Sequence, residues 1–329
     1  MQQEVDNKMV VIYTEDKDIT TNLVMDWLSF LYKGEVKRMN TDFFQMPIQS
    51  EFFLDISESI NIKGIWYRRP GRRPFPIRNI PEDLINEKID NNKLQSLLLH
   101  SANKEIQNIN AHDLANKYNA ENILGGSLRY EVNKFDVLRI AKNTGIDIPK
   151  SILTNSKSKL IDFYNDCSGE IISKMHDMLL CDISETHSTY ATYTEKIEMS
   201  FINNLPEYFF IAHFQEKLEK EYEIRSFYLD GEIFSMAMFS QKNEQTSVDF
   251  RRYNRDSMNR RVTYKLPSEI EDNIRLLMQE LNLNCGSLDI VKTKDRYVFL
   301  EVNPVGQFGF LTGACNYHLH KKIAEYLIQ

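Results

Sequence analysis

The stretch YVFLEVNPVGQFGF, Tyr297 to Phe310, decides the fold. It starts as an apolar strand, then sets a carboxylate, Glu301, and an amide, Asn303, two positions apart before breaking into Pro-Val-Gly-Gln-Phe-Gly. Side chains at i and i+2 of a strand share a face, so these oxygens point the same way. Upstream, CGSLDIVKTKDRYVFLEVNP holds two apolar runs separated by Lys292-Thr293-Lys294-Asp295, the pattern of a hairpin. Folding it back brings Asp289 close to Glu301, in a register that the pattern leaves open by one residue. Asp289, Glu301 and Asn303 then form a cluster of hard oxygen ligands of the kind that Mg²⁺ uses while also holding phosphates and water. A lone Glu-x-Asn would read as an edge strand with solvated polar residues; the aspartate on the partner strand favours a metal.

At 329 residues the chain can form two or three packed units, and 42% hydrophobic with 26% charged residues is an ordinary globular composition. No apolar run approaches the roughly 18 residues of a membrane span. Residues Met1 to Lys8 lack the apolar core of a signal peptide. Cys167, Cys181, Cys285 and Cys315 are far apart with no C-x-x-C spacing, which argues against a disulfide framework or structural zinc and predicts a reducing cytoplasm. The histidines show no zinc spacing either, and His318 and His320 read as surface residues at the start of the last helix. A net charge of −7 argues against general nucleic-acid binding. Within this acidic chain, WYRRPGRRPFPIR (Trp66–Arg78) and FRRYNRDSMNRR (Phe250–Arg261) are dense arginine clusters. Guanidinium forks suit carboxylates and phosphates. A solvated basic face or an RNA-binding arm is the alternative, but anionic ligands are the more economical account because the rest of the chain repels polyanions.

The segment KMVVIYTEDKDITTNLVMDWLSFL predicts a strand, a loop and a helix with Leu23, Val24, Trp27, Leu28 and Leu31 at helical spacing. FFLDISESINIKGIWYRRP offers two more strands, and Pro81 to Tyr118 reads as long polar helices, which together predict an α/β domain to about residue 120. Next comes a helix with Asn133 as N-cap and Gly145 as C-cap, stopped by Pro149. Strands follow at GEIISKMH, EYFFIAHFQE and YEIRSFYLDGEIFSMAMFSQ, the last folded into a hairpin at Asp230-Gly231. SETHSTYATYTEKIE reads as a loop or exposed hairpin, while PSEIEDNIRLLMQELNL and HLHKKIAEYLI read as helices.

Lys134 falls in the first turn of its helix, where the macrodipole disfavours a cation by about 0.3–1 kcal/mol, so a compensating anion is expected there. A solvated surface lysine is the competing reading. Lys174 ends the strand EIISK, and two lysines on two elements make a better phosphate clamp than one. In FFIAHFQEKLEKEYEIR an apolar strand runs into Gln215, Glu216, Lys217 and Leu218. An extended backbone of this kind can bond an adenine edge, with a nearby carboxylate such as Glu221 for ribose hydroxyls. Most strands that exit into charged residues are merely surfacing.

In this order along the chain the pieces resemble the ATP-grasp ligases. The match runs through Lys134, Lys174, Gln215–Leu218, Glu223-Ile224-Arg225, Asp249-Phe250-Arg251, and Asp289 with Glu301 and Asn303. It covers about residues 120 to 329 and, more loosely, what precedes them. WYRRP, NKFDVLRIAKNTGIDIPKS and LEVNPVGQFGF look like the graspetide branch of microviridin-type peptide macrocyclases, and NPVGQFGF looks like the grasp-with-spasm maturases. One departure is that Cys181 to Glu195 contains no glycine where a glycine-rich phosphate loop would fall. The resemblance implies an α/β (α+β) ATP-grasp fold, with an N-terminal α/β domain (1–120), a central subdomain (121–206) and a C-terminal subdomain carrying the metal site (207–329), two lobes clasping ATP. It implies a cytoplasmic ligase that activates Asp or Glu side chains of a ribosomally made precursor peptide as acyl phosphates and closes ester or amide rings with Ser, Thr or Lys. Mg²⁺, as two ions, would sit on Asp289, Glu301 and Asn303; Arg225 and Arg251 would serve catalysis. Lys134, Lys174, Gln215, Glu216, Lys217, Leu218 and Glu221 would bind nucleotide, and Arg68 and Arg69 would face the cleft and bind substrate. The expected partner is a precursor peptide with leader and core, with no nucleic acid or membrane, and a homodimer is in keeping with the family. Two alternatives stand beside this: a ligase adding amino acids to a protein tail or small acid, and a non-catalytic ATP-binding module.

Overall fold

The computed structural model describes residues 8–40, 62–69, 120–126, 132–173, 180–183, 188–191, 194–239 and 260–329. The helices expected between Pro81 and Tyr118, the strand expected ahead of Ile62, and Lys174, Asp249 and Arg251 lie outside the described residues. Strands β1 (Met9–Thr14), β2 (Glu35–Asn40), β3 (Ile62–Tyr67) and β4 (Asn122–Leu124) form a parallel sheet in the order β2-β1-β3-β4. The central strands β1 and β3 read as near-continuous apolar runs because both of their faces are covered. Val10, Ile12 and Trp66 pack under α1 (Ile19–Leu31) and the last helix, α7 (Leu319–Ile328), while Val11, Tyr13, Ile65 and Tyr67 pack on the opposite face. The β2 strand, EVKRMN, escaped the sequence reading because it is an edge strand, where charged side chains guard the open hydrogen-bonding row. Asp18 caps α1, its Oδ1 accepting from the Thr21 N–H at 3.2 Å.

The larger, antiparallel sheet has the order β13-β12-β11-β14-β15, from β11 (Lys220–Leu229), β12 (Glu232–Phe239), β13 (Arg260–Tyr264), β14 (Cys285–Thr293) and β15 (Tyr297–Asn303). The expected turn joins β11 to β12: Asp230 and Gly231 have φ of 45° and 95°, and Leu229 pairs with Glu232 across a two-residue loop. One face carries Ile224, Leu288, Ile290, Phe299 and Val302 against α2 (Lys134–Asn143) and α5 (Ser268–Glu280). The other face divides. Phe227, Leu229, Met236 and Met238 join the core of the first sheet through Phe308 and Leu311, at the start of α6 (Gly309–Cys315). Toward Glu223, Arg225, Asp289 and Glu301 the same face turns charged.

A third sheet, β5-β10-β6-β9, combines β5 (Ser151–Ser156), β6 (Ile171–Ser173), β9 (Glu195–Ile197) and β10 (Tyr208–Glu216). It lies against α3 (Lys157–Asp166) and α4 (Met199–Asn203) around Leu160, Ile171, Ile197, Ile202 and Phe214. β7 (Leu180–Ile183) and β8 (Ser188–Ala191) pair as a hairpin. The mixed α/β architecture is the one expected. His320 is a correction: it is buried, with its ring centroid 5.2 Å from that of Phe308, because α7 turns this side toward the shared core. Among the described residues no helix is long and apolar enough to cross a membrane.

Candidate active site

The register left open by the sequence places Asp289 opposite Glu301 and Ser287 opposite Asn303. On its other side Asp289 pairs with Arg225 of β11, so Arg225, Asp289 and Glu301 form one row across three strands. A bulge lets an apolar strand carry this polar set. Register shifts between Asp289 and Ile290, so that Asp289 opposes Glu301 while Ile290 opposes Phe299, and Leu300 is the extra residue. In a regular strand Phe299 and Glu301, two positions apart, would share a face; the bulge at Leu300 lets Phe299 lie fully buried in the opposite core.

Arg225 is buried, and its Nη1 donates to Asp289 Oδ2 at 2.7 Å. Its Nε is also buried and has no hydrogen-bond partner among the described residues. Such a donor costs stability unless something accepts from it, which marks this guanidinium as built for an anion. Lys134 opens α2 behind the Asn133 cap, whose Oδ1 accepts from the Phe135 N–H at 2.9 Å. Its Nζ lies 3.5 Å from Glu301 Oε2, so an anion does face the lysine at this helix start. Two carboxylates and an amide oxygen in adjacent rows of one face fit a hard cation that takes its remaining ligands from phosphate and water. Among the described residues no three His, Cys, Asp or Glu side chains cluster as metal ligands, so the amide is needed to complete the set.

The turn after Asn303 is pinned from several sides. Asn303 Oδ1 accepts from the Val305 N–H at 3.1 Å, Ser287 Oγ donates to the Gln307 carbonyl at 3.2 Å, and Cys285 Sγ donates to that of Pro304 at 3.6 Å. Burial pushes the Cys285 thiol up to about 12, so it stays protonated and donates. Gly306 has φ 66°, and a Cβ there would lie 2.8 Å from Phe227 Cε2, so only glycine fits. Arg68 completes the clamp from the first sheet. Its Nη1 donates to the carbonyls of Val305 and, at 2.8 Å, Gly306, while its Nε donates to Asp18 Oδ2 at 3.1 Å. Trp66 and Phe308 flank the guanidinium, which is 2% exposed. Arg68 is thus buried, where the sequence reading expected it to face a cleft, and its Nε and Nη1 are engaged by protein. Arg69 is partly exposed and pairs with Glu15 and Asp18, each at 3.3 Å.

The nucleotide-hinge candidates occupy the passage from β10 into β11. The Glu216 and Lys217 N–H groups donate to the Lys150 and Glu170 carbonyls, each at 2.9 Å. Their side chains are engaged as well: Glu216 Oε1 accepts from Arg296 Nη2 at 2.9 Å, and Lys217 Nζ lies 2.7 Å from Glu170. Gln215 is buried and donates to Ser151 Oγ at 3.3 Å, Leu218 is half-buried, and the exposed Glu221 lies 3.8 Å from Lys292 Nζ. Sequence reasoning missed Arg296, which ties the β14–β15 hairpin to this hinge, and the close Lys220–Glu223 pair. Residues three apart in a strand face opposite ways; here a register shift between Lys220 and Tyr222 brings them together.

No protein-family model matches the sequence, and no curated protein does. Solved structures do match along nearly the whole chain. Macrocyclase MdnC of Microcystis aeruginosa MRC, bound with precursor peptide MdnA, superposes with a TM-score of 0.72 at 22% identity, covering 97% of this chain and 99% of that one. A RiPP-associated ATP-grasp ligase of Chryseobacterium gregarium, in complex with ADP and a leader and core peptide, gives 0.76 at 21% identity over 98% and 95%. The chain has the ATP-grasp fold. ATP-grasp ligase PsnB, complexed with minimal precursor, Mg and ADP, gives 0.68 at 17% identity over 100% and 98%.

Proposed function

We propose that the protein is an ATP-dependent carboxylate ligase that activates Asp or Glu side chains of a ribosomally made precursor peptide and closes side-chain ester or amide macrocycles. The observation that carries this reading is the Arg225–Asp289–Glu301 row, with Asn303 one row along and Lys134 reaching Glu301. It sits in a fold shared with a peptide macrocyclase and with ligases solved on peptide and ADP. The γ-phosphoryl group of ATP passes to a side-chain carboxylate, giving an acyl phosphate and ADP. A Ser or Thr hydroxyl or a Lys amine of the same peptide attacks the acyl carbon, its proton leaves, and phosphate departs with the bond pair, so each ring loses one water. Phosphoryl transfer of this kind needs charge neutralisation and alignment more than covalent help.

Arg225 and Arg251 hold the acceptor carboxylate and stabilise the oxyanion formed on attack. Lys134 and Lys174 hold phosphates, the Gln215–Leu218 backbone takes the adenine edge, and Glu221 takes the ribose. Asp289, Glu301 and Asn303 hold Mg²⁺, as two ions, which when bound neutralises charge on the phosphate oxygens. Tethering within one peptide supplies effective molarity for ring closure. We further place the enzyme in the cytoplasm as a homodimer, with lobe divisions near residues 120 and 206 and with Arg69 on the path of the peptide.

The test incubates the protein with ATP, Mg²⁺ and the small peptide encoded beside its gene, and follows mass. Loss of one water per ring is expected. A gain equal to an amino acid would instead indicate ligation to a tail, and ADP release with no peptide change would remove the macrocyclase reading. An Arg251→Ala variant that cyclised at the normal rate would remove that role.

A further inference from the structure

Arg225 is not alone on its face of the sheet. Met236 pairs with Arg225 and Thr263, and Met238 pairs with Glu223 and Arg261, so Arg261 of β13 projects from the same face one row away. The half-buried ring of Phe310 lies between them: the guanidinium carbons of Arg225 and Arg261 are each 5.8 Å from its centroid. Two like charges gathered on one ring repel, and only Arg225 has a carboxylate, Asp289, within ion-pair distance. Arg261 is exposed and has no such partner among the described residues. The ring face steadies each guanidinium through cation–π attraction and leaves the Arg261 fork, and the donors of Arg225 not bonded to Asp289, to take a planar anion. The buried Nε of Arg225 points to the same need.

We propose that Arg261 and Phe310 form a second carboxylate seat beside Arg225, so that the peptide presents two acidic side chains at once. This rests on the reading of Arg225 as the holder of the acceptor carboxylate, and it names the substrate class more closely. In an extended peptide, side chains at i and i+2 project to one side about 7 Å apart, a span suited to two guanidiniums that flank one ring. The preferred substrate therefore carries acidic residues in alternation: one is activated on Arg225 while its neighbour is held on Arg261 and fixes the register.

The experiment titrates the full-length protein with the synthetic peptide acetyl-Thr-Glu-Thr-Glu-Thr-amide and with versions in which either Glu is Gln. Wild type should bind the two-acid peptide about tenfold more tightly than either one-acid version, the scale of one charge-assisted bidentate contact. In Arg261→Gln that preference should fall below twofold, and Arg261→Glu should instead favour a peptide with Lys at the second acidic position. Melting temperatures close to wild type would show that both variants fold, as expected for an exposed edge-strand side chain. Absence of preference in wild type, retention of it in Arg261→Gln, or a loss of ADP affinity in place of peptide preference would each overturn the proposal. Binding is read without turnover. Intact preference with no ATP-dependent loss of water removes the ligase reading and keeps the seat, while ring closure without preference does the reverse.

Discussion

Arg225 is bonded on one side to Asp289 and carries an unsatisfied buried donor on another, so its charge is only half used by the protein. Arg225→Lys keeps the charge but loses the fork. Turnover should fall by about 10²–10³, the effect of removing a preorganised oxyanion donor, while ADP affinity stays within about threefold. A tenfold loss of ADP affinity with normal turnover would move Arg225 from the acceptor to the nucleotide. His320 carries the second prediction at this scale. Burial lowers its pKa below the usual 6.5, with Arg68 pushing the same way and Asp18 opposing. The folded state therefore resists protonation more than the unfolded chain does. This histidine costs nothing above pH 6.5, and stability falls as pH drops from there toward the folded pKa, by at most about 1.4 kcal/mol per unit. In denaturant unfolding at pH 7.5 and 5.5, His320→Gln should narrow the gap between the two stabilities. An unchanged gap would assign the acid sensitivity to other groups.

At the scale of the element, the bulge in β15 can be tested apart from the side chains that it places. Leu300→Ala keeps the extra residue, so it should lower stability modestly and leave ADP affinity within about twofold. Deleting Leu300 removes the extra residue and makes Phe299 and Glu301 neighbours, which a regular strand already sets on opposite faces, so both can keep their partners Ile290 and Asp289. That variant should keep ADP affinity within about threefold of wild type, as read by calorimetry; loss of binding in a variant that still folds would mean that the local twist of the bulge, and not its change of register alone, aims Glu301. Local chemistry made this hairpin legible in sequence: the i, i+2 pair, the polar turn and the apolar flanks all act within twenty residues. The same holds for the Asn133 cap and the Asp230-Gly231 turn. The partner of Asp289 was not legible. Arg225 lies 64 positions upstream, and its alignment depends on a strand pairing that no local pattern encodes. The charged edge strand β2 was invisible because solubility, not burial, chose its residues.

At the scale of the whole molecule, Arg68 joins the first sheet to the turn that carries Asn303, across 238 positions of chain. Its arginine-rich neighbourhood suggested an anion from outside; the anion beside its Nε is Asp18, and its Nη1 donates to the carbonyls of Val305 and Gly306. The pair is closed off from water, at 2% and 3% side-chain exposure. Breaking a buried pair by removing one member typically costs about 3–5 kcal/mol, whereas removing both charges costs less. Arg68→Met should therefore destabilise strongly, and Asp18→Asn, which keeps the α1 cap acceptor, should destabilise too. The double variant should recover at least about 1.5 kcal/mol relative to the sum, with Arg69, 3.3 Å from Asp18, softening the single effects. A stability role alone would stop there. If the clamp also orients Asn303, Arg68→Met should weaken binding of ADP with Mg²⁺ by about tenfold, as the loss of an outer-shell partner does, at a temperature where the variant is fully folded. Calorimetric titration with ADP at saturating Mg²⁺ decides this: unchanged affinity in folded Arg68→Met would leave the clamp as a structural joint, and a tenfold loss would make the first sheet part of the site's geometry.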